Sequence, residues 1–408
     1  ESLSDDSART LWEDRAGRLW VGTQNGLNWI ERTTGRVHRY FHDTRNLQSL
    51  AHNFVTSLYE DLAGRFWVAT SHNHLQQYDP LRDAWTNWLP DPRLSTNLKT
   101  DNTRSIRSMV EDSRGQFWLA VFDEGVCRFD RQSKQLTCFR HQDGAPDSLS
   151  VDRTQYVYET RDGALWVSTT KGLHRFERET GQFTRYVHDK NDPQSIGSDD
   201  VNMMLEDRAG NFWLATSNNG LNLMDRATGR FTRFTEKEGL CDNHLAGLVE
   251  DAEGNLWLSA ETCLARFNPR TRKFRNFTVQ DGPEFTGFRT RVCYSSPRGE
   301  LFFGGDGVLA ISPEQFRENP LPPNVVLTSF SKFNQPIELG QIFSSLPKLE
   351  LSWRDNFFSF EFAALSYVSP EKNQYAYRLE NFDRDWVYCG TRRYASYTNV
   401  PAGEYVFH

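Results

Sequence analysis

The stretch EDRAGRLWVGTQNGL, residues 13–27, places two acidic residues, a glycine, a tryptophan and an Asn-Gly pair within fifteen residues. Closely similar stretches begin at Glu60, Glu111, Glu159, Glu206 and Glu250, and a degenerate copy, SSPRGELFFGGDGV, begins at Ser295. One glycine marks the same place in every copy, at intervals of 44 to 51 residues: Gly17, Gly64, Gly115, Gly163, Gly210, Gly254 and Gly299. The chain is therefore built from seven repeats.

Each repeat predicts four short strands. A strand such as VTSLYED precedes a DxxG turn, in which Asp bonds its own backbone and Gly takes a positive φ. Three more strands follow, with NG-like and TG-like turns between them; examples from the repeats are FWVAT, LNWI and RVHRYF. Four strands in about 45 residues, repeated four to eight times as in WD-type repeats, are typical of a β-propeller. We therefore predict an all-β protein with a seven-bladed propeller.

One aromatic position is shared by all the repeats, and we expect it to pack blade against blade: Trp20, Trp67, Trp118, Trp166, Trp213, Trp257 and Phe302. Paired carboxylates such as Glu13 and Asp14 could perform acid and base chemistry in isolation. Because acidic pairs recur from blade to blade, a role in turn structure explains them better.

Composition excludes some classes of function. A net charge of −7 with no basic stripe argues against nucleic-acid binding. No apolar run reaches the roughly 18 residues of a membrane-spanning helix, and no secretory signal begins at Glu1. Since Glu1 already lies inside a repeat, we expect the 408 residues to be part of a longer protein.

The pattern EDxxGxxWxGTxxGL, preceded by loops such as SLSDDS and followed by RFTRF, resembles the two-component regulator propeller repeats of bacterial membrane sensors. This resemblance covers residues 1–318. A linker, NPLPPN (319–324), follows, and residues 325–408 resemble the tyrosine-rich triple-Y (Y_Y_Y) sandwich through NFFSFEFAALSYVSPEKNQYAYRLENFDRDW and YTNVPAGEYVF.

That resemblance implies a periplasmic ligand-sensing module of a membrane-bound signalling protein, with a cytoplasmic histidine kinase or diguanylate cyclase as output. It also implies a small-molecule or oligosaccharide ligand and a homodimer in the full-length protein, with membrane contact only through a segment outside this chain. We predict no cofactor.

The residues of the second domain agree with an immunoglobulin-like β-sandwich. Phe358, Phe360 and Phe362 alternate along one strand, Tyr375, Tyr377 and Leu379 alternate along the next, and VPAG (400–403) predicts a turn. We expect both domains to be incomplete, because His408 ends the chain on a strand and the seventh repeat offers only TRVCYSS, ELFFGG and VLAIS.

Ligand-binding candidates lie at one mostly polar position near the start of each inner strand. Arginines at this position would suit a carboxylate or sulfate group, because guanidinium offers a bidentate fork. Alternatively, they form salt bridges with Asp5, Asp6, Asp199 or Asp200. The seven positions, expected to ring the central channel, are Arg9, Thr56, Arg107, Gln155, Asn202, Ala246 and Arg291.

Histidines and cysteines give two further hypotheses. His52, His72 and His74 are a weak candidate for a zinc-type site, against a prediction of no metal. In an oxidising compartment, Cys241 with Cys263 and Cys127 with Cys138 are placed for disulfides, whereas Cys293 and Cys389 have no evident partner.

The alternative function is a glycan-active enzyme, because DxxGxxW resembles the Asp-box of sialidase propellers. The arginine triad and the tyrosine nucleophile of such an enzyme cannot be assigned by motif. The sequence also lacks GxSxG, HExxH, a Walker loop and CxxC pairs. We therefore predict a sensor module and no enzymatic activity in this chain.

Overall fold

The computed structural model describes residues 2–72, 74–89, 105–278, 287–316, 323–337, 348–365 and 373–408. The chain divides into two compact units, and the division falls after Phe316, two residues before the end predicted for the propeller. Most of the predicted linker, 319–322, lies outside the described residues. Among the described residues, no helix has the length and apolar character needed to cross a bilayer.

The first unit is the predicted propeller. Six antiparallel sheets of four strands follow one another along the chain, and a seventh sheet has three strands in the described residues. The first three blades consist of β1 (Ala8–Glu13), β2 (Leu19–Thr23), β3 (Gly26–Ile30), β4 (Val37–Tyr40); β5 (Val55–Glu60), β6 (Phe66–Thr70), β7 (His74–Asp79), β8 (Ala84–Asn87); β9 (Ile106–Glu111), β10 (Phe117–Val121), β11 (Gly125–Asp130), β12 (Gln135–Phe139).

The remaining blades consist of β13 (Thr154–Glu159), β14 (Leu165–Thr169), β15 (Gly172–Glu177), β16 (Gln182–Tyr186); β17 (Val201–Glu206), β18 (Phe212–Thr216), β19 (Leu221–Asp225), β20 (Arg230–Phe234); β21 (Leu245–Glu250), β22 (Leu256–Ala260), β23 (Leu264–Asn268), β24 (Lys273–Phe277); β25 (Cys293–Ser295), β26 (Leu301–Gly305), β27 (Gly307–Ile311). Short 3-10 helices span Glu236–Glu238 and Pro313–Phe316. The prediction that blade seven offers three strands agrees with this sheet.

The aspartate of the DxxG turn accepts two hydrogen bonds, one within the turn and one from the shared tryptophan. In blade three, Asp112 Oδ1 accepts the backbone N–H of Gln116 at 2.8 Å, and Oδ2 accepts the indole N–H of Trp118 at 2.7 Å. The same indole-to-aspartate bond recurs in blades one, two, five and six, and Thr160 takes the place of Asp in blade four. The recurring acid is therefore part of the architecture.

Each shared aromatic side chain packs into the core of the following blade. Trp20 is fully buried and lies in one cluster with Val55, Leu58 and Phe66 of blade two. The ring closes in the same way, because Phe302 of blade seven packs with Leu11 and other residues of blade one. The predicted packing of blade against blade is confirmed.

The glutamate of the acidic pair links neighbouring blades, a role that the sequence analysis did not identify. Glu111 accepts the backbone N–H of Leu62 in the preceding blade at 2.7 Å, and Glu159 accepts that of Ser113 at 2.7 Å. An arginine after the third strand adds an ion pair on each side: Arg178 bonds Glu159 of its own blade at 2.8 Å and also bonds Asp112 of the preceding one. We call this arrangement a latch; equivalent latches contain Arg32, Arg131 and Arg226.

A buried polar side chain on the third strand anchors the loop entering the blade. Asn28, Gln76 and Asn222 do this with a side-chain oxygen that accepts a backbone N–H. In blade four the residue is His174, whose Nε2 accepts the backbone N–H of Ser150 at 3.0 Å. This bond needs an unprotonated Nε2, and burial lowers the pKa of His174 to about 4.

That lowered pKa predicts a loss of stability in acid. As pH falls below about 6.5, the unfolded chain takes up a proton at His174 and the folded chain does not until pH about 4. We expect this residue to remove about 2–3 kcal/mol of unfolding free energy between pH 7 and pH 4.5. His174→Asn, which copies blades one and five, should abolish this part of the loss in urea unfolding at the two pH values. Equal losses in both proteins would contradict the assignment.

Four cysteines are paired in the propeller. Cys127 lies opposite Cys138 on β11 and β12, with bonded sulfurs and Cα atoms 4.0 Å apart. Cys241 is bonded to Cys263, with Cα atoms 6.5 Å apart. Cys293 and Cys389 are free thiols, and burial raises the pKa of Cys293 to about 12.

The second unit is a small all-β domain of the immunoglobulin-like class. Its buried cluster includes Phe358, Phe360 and Phe362 from one strand and Tyr375 and Tyr377 from another, which confirms the predicted alternation. The strands are β28 (Val325–Lys332), β29 (Gln335–Pro336), β30 (Phe357–Ala364), β31 (Tyr375–Tyr377), β32 (Leu379–Glu380), β33 (Val387–Gly390), β34 (Tyr394–Thr398) and β35 (Val406–Phe407). One sheet has the order β29-β28-β30-β34, and two-stranded pairings join β31 to β33 and β32 to β35.

Candidate functional site

The predicted ligand-binding positions coincide with a β-bulge in each of the first six inner strands. The register of β1 against β2 shifts between Ala8 and Thr10, so that Arg9 is the extra residue. Such a bulge redirects one side chain out of the regular alternation of the strand. The corresponding shifts in β5, β9, β13, β17 and β21 leave Thr56, Arg107, Gln155, Asn202 and Ala246 unpaired.

Blade seven reaches the same position by a turn. Arg291 precedes β25 with φ 68°, in the left-handed region that non-glycine residues seldom adopt. Its backbone N–H donates to the carbonyl of Ala246 in blade six at 2.7 Å. A conformation of this kind costs about 1–3 kcal/mol and persists where the surroundings impose it, which is common at binding sites.

All seven blades contribute to a cavity of about 760 Å³ among the inner strands. Arg9, Arg107 and Arg291 line it, as predicted, together with Thr56. Arg289 also lines it and was missed by the sequence analysis, although the RTR spacing in the degenerate seventh repeat is a signal that could have identified it. The other titratable residues around the cavity are Tyr156, His244, Glu261, Cys293, Tyr294 and Asp306.

Gln155 and Asn202 do not line the cavity and instead hold its wall. Gln155 Oε1 accepts from Arg291 Nη1 at 2.7 Å and from Arg107 Nη1 at 3.4 Å, while Gln155 Nε2 donates to Asp200 Oδ1 at 3.0 Å. Asn202 donates to Ser217 Oγ at 3.0 Å and to the carbonyl of Leu245 at 2.8 Å. Gln155 therefore orients two of the arginines, and Asn202 connects blade five to blade six.

The alternative expectation, that the channel arginines pair with loop aspartates, is wrong for the part of the chain that the structure describes. Within it, Arg9, Arg107 and Arg291 have no carboxylate within 4.0 Å, and Arg289 pairs with Asp306 at 3.2 Å. Three of these aspartates accept hydrogen bonds from other residues, and Asp5 accepts the backbone N–H of Ser7 at 2.8 Å. Asp199 accepts the backbone N–H of His188, and Asp200 accepts from Gln155 and Ser217.

Carboxylates more than 4.0 Å away compensate the guanidinium charges only in part. Burial, followed by the charge of Arg107, lowers the pKa of Arg291, and Asp200 opposes this shift. Burial also lowers the pKa of Arg107; Asp123 and Asp200 oppose the shift, and Arg9 adds to it. Burial and then Arg289 lower the pKa of Arg9, against the effect of Asp5. Because guanidinium groups stay protonated in proteins, the cavity retains these mutually repelling charges at neutral pH. Among the described residues, the buried Nε atoms of Arg9 and Arg289 have no hydrogen-bond partner.

Aromatic faces hold two of these arginines in place. The guanidinium of Arg107 lies 3.9 Å from the centroid of the Phe122 ring, and that of Arg9 lies 5.2 Å from Phe54. Arg9 also donates to Gln24 Oε1 at 3.3 Å. The arginines are therefore positioned by neutral partners.

The histidines of blade two approach one another without forming a metal cluster. The rings of His52 and His72 are 5.2 Å apart, and burial, followed by neighbouring imidazoles, lowers the pKa of His52 and His74. The backbone N–H of Phe54 donates to His52 Nδ1 at 3.0 Å. Across the described ranges, no three His, Cys, Asp or Glu side chains are grouped so as to hold a metal ion.

Comparison with protein families matches both parts of the chain. Residues 366–408 match the Y_Y_Y domain, and residues 195–218 match the two component regulator propeller. One propeller repeat therefore matches the regulator propeller model, and the end of the second unit matches the Y_Y_Y model. The predicted resemblance is confirmed.

Two proteins that this chain resembles come from bacterial signalling systems. Histidine kinase P4 of Formosa agariphila is 28% identical over 180 residues, which are 42% of this chain and 13% of the kinase. The extracellular domain of BT3049 from B. thetaiotaomicron, assigned to a hybrid two component system, has a TM-score of 0.75 and 22% identity. It is matched over 100% of this chain and 53% of its own length. The chain thus spans about half of that domain and a small part of the kinase.

The propeller fold also occurs in an enzyme. Virginiamycin B lyase of Staphylococcus aureus has a TM-score of 0.54 at 13% identity, over 74% of this chain and 93% of the lyase. At this level of identity the likeness shows the fold alone.

Proposed function

We propose that this chain is the periplasmic ligand-sensing module of a membrane-bound signalling protein. It binds a small molecule or an oligosaccharide in the cavity among the inner strands and passes the signal to a cytoplasmic output enzyme. The observation that carries the proposal is this cavity, to which all seven blades contribute side chains. Arg9, Arg107 and Arg291 contact the ligand. Gln155 supports Arg107 and Arg291, and Asn202 holds the wall of the cavity.

Two further observations support the compartment and the output. The bonded pairs Cys127–Cys138 and Cys241–Cys263 suit an oxidising compartment such as the periplasm. The similarity to a histidine kinase favours a kinase output over a diguanylate cyclase. For transmission, the ligand must bind one state of the full-length homodimer better than another, because only a difference in affinity shifts an equilibrium.

A glycan-active enzyme is the second candidate, since the DxxGxxW motif resembles an Asp-box. Against it, the recurrent acids have structural partners: Asp112 bonds Trp118 and Arg178, and Glu159 bonds Ser113 and Arg178. Acids engaged in this way are poorly placed to donate or accept a proton at a substrate.

A thermal-shift screen against neutral, carboxylated and sulfated oligosaccharides at fixed salt tests the proposal, with reaction products followed in parallel. A ligand at one hundred times its Kd should stabilise the propeller by about 2.7 kcal/mol. Arg107→Gln should weaken this stabilisation, whereas Arg45→Gln, at a loop arginine whose side chain is 90% exposed, should not. Release of sugar products would establish the enzyme instead. Binding without any change in dimer geometry or kinase output of the full-length protein would overturn the sensing function.

A further inference from the structure

The cavity contains an excess of positive charge. Four arginines line it against two carboxylates, those of Glu261 and Asp306, although the chain as a whole has a net charge of −7. Asp306 pairs with Arg289, and no carboxylate of the described residues lies within 4.0 Å of the guanidinium groups of Arg9, Arg107 and Arg291. More distant aspartates, Asp5, Asp123 and Asp200, compensate their charges in part. An acidic protein that keeps guanidinium groups without a direct ion pair in a partly enclosed site provides an electrostatic site for an anion.

The hydrogen-bonding capacity of these arginines is also unfilled. A guanidinium group has five N–H donors. In the described structure, Arg107 and Arg291 each donate only to Gln155 Oε1, and both do so through Nη1. The shared acceptor brings the two groups together, leaving the other donors available to a further acceptor. The unpartnered Nε atoms of Arg9 and Arg289 add two buried donors.

We propose that the cavity binds the carboxylate or sulfate group of an anionic ligand, held between Arg107 and Arg291 and attracted by Arg9 and Arg289. This inference rests on the proposed sensing function and specifies the chemical class of its ligand. The anion fills donors that the protein leaves open, and it relieves the repulsion among the guanidinium groups. Gln155, fixed by Asp200, sets the separation of the two binding arginines.

The binding of carboxylates and sulfates depends on the shape of the donor as well as on its charge. Both are matched by the planar guanidinium fork, and a lysine at position 107 would retain the charge without the fork. We therefore expect Arg107→Lys to bind an anion more weakly than the native protein and more tightly than Arg107→Gln.

Isothermal titration calorimetry of the 408-residue chain with D-glucuronate, D-glucose 6-sulfate and D-glucose, at constant ionic strength, tests the proposal. At least one anionic sugar should bind, and glucose should not. The affinity should fall at least tenfold in Arg107→Gln and in Arg291→Gln, and should stay unchanged in Arg45→Gln. Raising the salt concentration should weaken binding, since the attraction of charged groups is screened. The preference between the two anions identifies the group as carboxylate or sulfate.

Two outcomes would overturn the inference: glucose binding as tightly as the anionic sugars, or no binding of either anion at millimolar concentration. If a neutral oligosaccharide raised the melting temperature equally in native protein and Arg107→Gln, the anion site would be refuted and the sensing function would stand. If the anion bound as described but left the output of the full-length protein unchanged, the anion site would stand and the sensing function would fail.

Discussion

Replacing Trp118 with alanine is expected to lower the unfolding free energy of the propeller by about 3–5 kcal/mol. The side chain is 1% exposed and packs in one cluster with Val157, Leu165 and Phe176 of the next blade. Its removal opens a cavity between two blades and deprives Asp112 of a hydrogen bond. Urea unfolding followed by intrinsic fluorescence measures the loss.

Leu81→Ala is the control for this measurement, because Leu81 is 96% exposed on the same propeller. We expect it to change the unfolding free energy by less than about 0.5 kcal/mol. If Trp118→Ala cost no more than this control, the shared tryptophans would not hold the blades together.

Replacing Arg178 with alanine is expected to cost about 3–5 kcal/mol, the usual loss when one partner of a buried ion pair is removed. Arg178 is 10% exposed and neutralises Asp112, which is fully buried, and Glu159, whose side chain is 12% exposed. Without the guanidinium, both carboxylates remain buried between blades three and four. Thermal unfolding of the variant measures the effect.

Arg175→Ala, on β15 and three residues before Arg178, is the matched control. Arg175 is 47% exposed and pairs with the similarly exposed Glu177, so its removal should cost less than about 1 kcal/mol. Similar losses in the two variants would mean that the latch contributes no more than a surface ion pair.

The repeats predicted the fold because each blade forms from strands that are consecutive in the sequence. Strands, turns and the buried aromatic position of EDRAGRLWVGT follow from residues within one repeat, and the structure has them where the pattern places them. The latches were missed because Arg178 and Asp112 meet only when two blades pack together. No spacing within one repeat shows that contact.

The candidate site was predicted only in part for a similar reason. The polar position on the inner strands identified Arg9, Arg107 and Arg291, but it did not show that Gln155 and Asn202 face the wall. The expected salt bridges do not form because neighbouring residues bond the aspartates, as Ser217 bonds Asp200. Such competition for hydrogen bonds depends on distances across the fold.

The bulges of the inner strands have a consequence for how such a protein can diverge. Regular pairing continues on both sides of Arg9, and the same holds at Arg107 and Gln155, so the extra residue is not needed to align its strand. The aromatic clusters between blades do not include these positions. A substitution at one of these positions alters the cavity lining, or a residue that supports it, and leaves the buried aromatic clusters between the blades unchanged. Evolution of a new ligand preference therefore requires changes at only a few positions of the gene.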